Sequence, residues 1–159
     1  MRLGNRVSLL FYGRPTINLL PDYGKTQLHQ ILRALAQTAI SSNTGLDSLQ
    51  YLPVHIFSSH SLVLILSPLT LNDWRLFPRL RAYGYQAPLI SPDPFDYLRD
   101  VHPPDSTTKL ANRLVHAERQ LEIQKIRQLW IPVINWQVGQ PLSLLVRYAL
   151  SLSRVQRQR

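Results

Sequence analysis

Side chains able to do chemistry are sparse in this chain, and they do not fall into a familiar pattern. Asp93 and Asp96 flank Pro94-Phe95 directly behind a short apolar run. A pair of carboxylates divides acid and base roles when one of the two has a shifted pKa. The same residues around a proline also serve as turn formers and helix caps, or as acceptors for a basic partner. The five histidines are His29, His55, His60, His102 and His116. None shows the paired helical spacing of a zinc site, and there is no cysteine to complete one. The lack of cysteine also removes disulfides and thiol nucleophiles. No Gly-x-Ser-x-Gly elbow and no dinucleotide fingerprint occurs. Six glycines in 159 residues leave little material for a backbone cradle around phosphate. The apolar run Ser61-Leu62-Val63-Leu64-Ile65-Leu66 ends in Ser67-Pro68, with no acidic residue until Asp73. Carboxyl ends of buried parallel strands are where ligands bind in open α/β sheets. A hard cation would want an acidic oxygen at that end.

The elements that would position these groups are legible from periodicity. Arg6 to Tyr12 reads as a buried strand, Tyr12-Gly13-Arg14-Pro15 as a turn, and Thr16 to Leu20 as the second arm of an antiparallel hairpin. Lys25 to Thr38 carries Leu28, Ile31, Leu32, Leu35 and Ala39 at helical spacing. A polar loop, Ser41 to Gly45, precedes a helix over 46–52 that Pro53 breaks. Leu62 to Leu66 is a strand buried on both faces. Asn72 or Asp73 caps a helix bearing Trp74, Leu76, Phe77, Leu80 and Tyr83, and Gly84 stops it. A strand over 86–90 follows, then a Pro-rich connection over 100–106. A long helix is expected over 107–130, with Leu110, Leu114, Ala117, Leu121, Ile126 and Leu129 as its inner face. Ile131 to Trp136 forms the last strand, placed at an edge by Pro132. Leu142 to Leu152 closes the chain as a helix. Strands alternating with helices predict an α/β fold: a doubly wound, mostly parallel sheet with an antiparallel edge hairpin.

Bulk properties narrow the class. The length and the 45% hydrophobic content fit one folded domain, here 1–153, followed by a basic tail over 154–159. No apolar run approaches the roughly 20 residues that span a bilayer. The net charge of +9 is compatible with nucleic acid or an anionic membrane surface. The terminal cluster Arg154, Arg157 and Arg159 reads as a solvated end, and no aromatic-rich basic stripe accompanies it.

Three stretches together resemble one family. They are Gly4-Asn5-Arg6-Val7-Ser8-Leu9-Leu10-Phe11-Tyr12-Gly13, Gly24-Lys25-Thr26-Gln27-Leu28-His29-Gln30-Ile31-Leu32, and Glu118-Arg119-Gln120-Leu121 with the run Ile131 to Leu142. The chain is similar over Gly4 to Tyr148 to the domain of unknown function 58 family, whose fold is von Willebrand factor A-like and hence Rossmann-like. The resemblance implies a metal-ion-dependent adhesion site at the carboxyl ends of the strands. Its parts are an Asp-x-Ser-x-Ser run after the central first strand, a threonine from a later loop, and an aspartate after the fourth strand. Thr44 matches the threonine and Ser67 stands where the aspartate would be. The Asp-x-Ser-x-Ser run has no counterpart. The expectation is therefore a fold incomplete at its N-terminal central strand, the carboxyl-terminal part of a larger domain. In it the strands at 7–12 and 62–66 each lack a neighbour.

These readings give weak metal candidates, Thr44 and Ser67, each with an ordinary alternative as helix cap or turn residue. No resident cofactor is expected; Mg or Mn would need the missing segment. Trp74, Trp130 and Trp136 serve as core or as interface anchors. Trp136, at a strand end beside Gly139-Gln140-Pro141, and Asp93 are the interaction candidates. No catalytic residue is assigned. The function expected is a non-enzymatic protein-interaction or scaffold module with a degenerate metal site. By what the resemblance implies, its partner is a MoxR-type AAA+ ATPase. The setting is the cytoplasm, or the cytoplasmic membrane face if the chain belongs to a longer anchored protein. A basic binder of nucleic acid or anionic membrane is the alternative. An α/β enzyme acting on a small molecule stands behind both.

Overall fold

The computed structural model describes residues 5–12, 16–38, 57–58, 61–70, 72–94, 106–137 and 139–156. The chain falls into two compact units, Met1–Thr44 and Gly45–Arg159.

In the first unit, β1 (Val7–Phe11) and β2 (Ile17–Asp22) form an antiparallel pair. Leu9 faces Leu19 while Val7 faces Asp22, so β2 carries an extra residue in a bulge. Pro21 sits in that bulge, where the missing N–H costs no ladder bond. Gly24, at φ +73°, turns the chain into α1 (Gly24–Ala36). Few other residues take that angle without strain. Gln27 of α1 is buried, and its Nε2 donates to Val7 O at 2.6 Å and Leu20 O at 2.9 Å. One amide thus satisfies a carbonyl from each strand beside the bulge. The buried row of α1 is Gln27 and Ala34, with Ile31 half-buried; Leu28, Leu32 and Leu35 face outward.

The second unit holds a parallel three-stranded sheet of β3 (Ile65–Leu66), β4 (Leu89–Pro92) and β5 (Val133–Trp136), in the order β3-β4-β5. A bridge between Leu62 and Gln86 extends the first pair backward. A 3₁₀ turn (Asp73–Arg75) leads into α2 (Leu76–Ala82), which joins β3 to β4. A long helix, α3 (Ser106–Gln128), lies between β4 and β5, and α4 (Leu142–Gln156) follows β5. Helix α2 ends as the sequence predicts. Gly84 takes φ +77°, Gly84 N donates to Arg81 O, and Tyr85 N donates to Leu80 O. This paired closure satisfies the carbonyls of Leu80 and Arg81 in the last turn.

Side-chain alternation assigns the helices to faces. Ile90 and Ile134 pack with Ala149, Leu145 and Val146 of α4. Their neighbours Ser91 and Asn135 must point the other way. Both are hydrogen-bonded by Arg119 of α3. Helices therefore cover both faces of the sheet, and Leu89, Ile90 and Ser91 are all buried. The α/β class and the parallel sheet agree with the sequence. The antiparallel hairpin is a two-stranded sheet, β1-β2.

Three expectations need correction. The strand expected over 86–90 is regular over 89–92, because Pro88 removes a donor just before it and pairing with β5 runs on through Pro92. Regular pairing of β3 spans Ile65 and Leu66 alone, outside the Leu62 bridge. The inner face expected for α3 holds at Ile126, which is buried, and in part at Leu129, which is half-buried, but not at its leucines further back. Leu110 is 70% exposed, Leu114 62% and Leu121 55%, whereas Arg119, Glu122 and Ile123 are buried. The helix is rotated so that two charged residues face inward, each held by partners that a helical wheel does not show. The loop over 41–45, the helix expected over 46–52 and most of the Pro-rich connection lie outside the described residues. Among the described residues no helix is long and apolar enough to cross a membrane.

Candidate functional site

The crevice beyond the carboxyl ends of β3, β4 and β5 is the place where an open α/β sheet receives ligands. Arg119 lies in it, 4% exposed. Its Nε donates to Pro68 O at 3.2 Å, behind β3. Its Nη2 meets Ser91 Oγ at 2.9 Å, Ser91 O at 3.2 Å and Pro92 O at 3.3 Å on β4, and Asn135 Oδ1 at 2.6 Å on β5. Its Nη1 stands 3.6 Å from Asp93 Oδ2. One planar guanidinium thus ties together the ends of all three strands. Only arginine presents donors in a fork wide enough for this. Asp93 itself is 6% exposed, and its backbone N–H continues the parallel ladder to Trp136 O at 2.8 Å.

The loop after β3 is pinned from three sides. Ser67 is buried, and its Oγ accepts from Leu69 N at 3.2 Å, closing a tight turn. Leu69 is held at φ +64° with its side chain buried. A bulky residue rarely adopts that angle, and the surrounding turn enforces it. Asp73, fully buried, accepts from Thr70 N at 2.7 Å, while Asp73 N donates back to Thr70 O at 3.2 Å. Glu122 of α3 is buried, and its Oε2 accepts from Trp74 N at 3.4 Å. Its Oε1 pairs with Lys125 Nζ at 2.8 Å, and that ammonium lies 5.8 Å from the centre of the Trp74 ring. A carboxylate from another helix therefore supplies the anion that favours a helix start.

The structure brings two of the sequence-derived candidates to one end of the sheet. Ser67 is engaged in its turn, and Asp93 faces a guanidinium. Thr44 and Asp96 lie outside the described residues, as do His55, His60 and His102. His29 and His116 are exposed on α1 and α3. Trp136 is half-buried against the Ile90, Ile134 and Ala149 cluster, and its Nε1 donates to Gln140 O at 2.9 Å. Among the described residues no three of His, Asp and Glu come together as ligands for a metal ion. The donor set at the strand ends does not fit the divalent cation that the resemblance implies. A fixed positive charge occupies the crevice, and the nearest carboxylate is already turned toward it.

What the arrangement does well is hold strand ends and a loop in fixed relation. Arg119 and Glu122, the residues that do this, were not singled out from the sequence. A signal was there: Arg119 lies four residues before Ile123 and Glu122 four before Ile126, on the rows that prove to be buried. Against this geometry stand the comparisons with protein families, curated proteins and solved structures, in which nothing matches the chain.

Proposed function

We propose that this chain is a protein-interaction module that docks an extended segment of another protein along the outer edge of β3. The observation that carries the reading is that edge. Val63, Ile65 and Ser67 donate their N–H groups to Gln86, Pro88 and Ile90 of the β4 side. Alternation then puts the backbone groups of Leu64 and Leu66 on the opposite edge. Nothing among the described residues pairs with that edge. The side chains of Leu64 and Leu66 are 41% and 58% exposed. An apolar edge whose backbone groups meet no strand among the described residues is a template for strand addition. The rigid tie of Arg119 suits such a role, since a template that keeps its shape loses less entropy on binding.

The von Willebrand A-like fold and a MoxR-type AAA+ ATPase partner belong to this proposal through the sequence resemblance. The von Willebrand A-like reading would place a further strand beside β3, in the same position as the docked segment. The test is a titration of a purified MoxR-type AAA+ ATPase against the full chain, followed by hydrogen exchange. Complex formation with protection of the Leu64 and Leu66 amides is expected. Leu64→Lys with Leu66→Lys should abolish binding and leave the fold intact, because both side chains are already exposed. A complex indifferent to this double substitution would refute docking at the edge, and the absence of any complex would remove this partner.

A further inference from the structure

We infer that the corner where α2 and α3 end is a binding site for single-stranded nucleic acid. This rests on a surface other than the edge of β3 and stands or falls separately from it.

The first ground is the distribution of charge. In the second unit Asp73, Asp93 and Glu122 are buried and held by internal partners. Among the described residues of that unit, Glu118 is the carboxylate left exposed. On the other side of the balance, Arg75, Arg81, Lys109, Arg113, Lys125, Arg127 and Arg147 are exposed. Among the described residues of this unit, folding thus withdraws three of the four carboxylates and leaves exposed cations in excess of exposed carboxylates. Such a field favours a polyanion.

The second ground is the corner itself. Arg81 Nη1 donates to Leu129 O at 2.5 Å, which fastens the last turn of α2 to the last turn of α3. The contact brings together two segments nearly fifty residues apart in sequence, Arg79 to Tyr83 and Arg127 to Trp130. Trp130 is 79% exposed and Tyr83 61%. Arg127 is exposed one turn before Trp130. Glu118 lies nine residues before Arg127 along α3, about 14 Å away by helical rise. Exposed aromatic side chains with exposed arginines close by in sequence match the two needs of a single strand: bases to stack and phosphates to neutralise. An acidic peptide would use the cations and leave the rings idle. A duplex would keep its bases stacked on one another. The two halves of the corner are far apart in sequence, which is why no basic aromatic stripe is visible there.

The test uses the full chain and a fluorescently labelled oligothymidylate, read by anisotropy at several salt concentrations. Three variants probe the corner. Trp130 sits at φ +59°, which glycine prefers, so Trp130→Gly removes the ring without endangering the fold. It should weaken binding by at least about 5-fold. Tyr83→Ala should act in the same direction. Arg127→Gln should lower the slope of log affinity against log salt by about 0.7, the contribution of one phosphate on a single strand. The same oligomer annealed to its complement should bind more weakly, and polyglutamate should compete poorly. The inference is overturned by an absence of binding at low salt. It is equally overturned if affinity is unchanged in both Trp130→Gly and Tyr83→Ala. Duplex, polyglutamate or acidic vesicles binding as tightly as the single strand would show a charge effect without base stacking, and would also overturn it.

Discussion

Arg119 shows how a residue that looks catalytic or ligand-binding by type becomes a structural tie by placement. A buried guanidinium is costly unless its donors are met, and here it reaches acceptors on three strands and a carboxylate. The group works through shape as much as charge. Lysine keeps the charge but carries a compact head that cannot span Pro68 O and Asn135 Oδ1 together. Arg119→Lys should therefore destabilise the second unit by about 2 kcal/mol or more, read as a fall in the urea midpoint with an unchanged slope. A loss below about 0.5 kcal/mol, the range of ordinary surface changes, would mean that the strand ends do not depend on the fork.

At the scale of elements, the sequence disclosed the order of the described strands and helices but misplaced much of the inner face of α3. Leucines at helical spacing on α1 and α3 invite burial, yet Leu28, Leu32, Leu110 and Leu114 are exposed while Gln27, Arg119 and Glu122 are inside. The cause is that each buried polar group meets backbone from distant segments. Gln27 meets carbonyls at a bulge, and Glu122 meets the N–H of Trp74. Periodicity registers hydrophobicity along one helix and is blind to acceptors brought in by others. The stop signal at Gly84 fared better, because it acts through local backbone geometry alone. The candidate site was legible only in its outline: Ser67 and Asp93 were placed at strand ends, but the arginine between them was not foreseen. A paired substitution tests the observed rotation of α3. Leu114→Lys should change stability by less than about 0.5 kcal/mol. Ile126→Ala, at a fully buried position, should cost about 2–4 kcal/mol. The reverse order in thermal or urea unfolding would restore the leucine row as the inner face.

For the whole molecule, the segregation of charge has a consequence that does not depend on any partner. Buried pairs such as Arg119 with Asp93 are shielded from mobile ions, so added salt hardly touches them. Among the described residues of the second unit, exposed cations outnumber exposed carboxylates and repel one another. Self-repulsion of this kind weakens a compact state. Raising ionic strength from about 0.01 M to about 0.15 M shortens the screening length from roughly 30 Å to roughly 8 Å, below the span of the surface. Stability should therefore rise with sodium chloride over this range and then level off. A protein held mainly by surface ion pairs would move the other way, because screening would weaken attractions instead of repulsions. Melting temperature against salt in a chloride series separates the two. A melting point that falls as salt is added would contradict the charge distribution described for this fold.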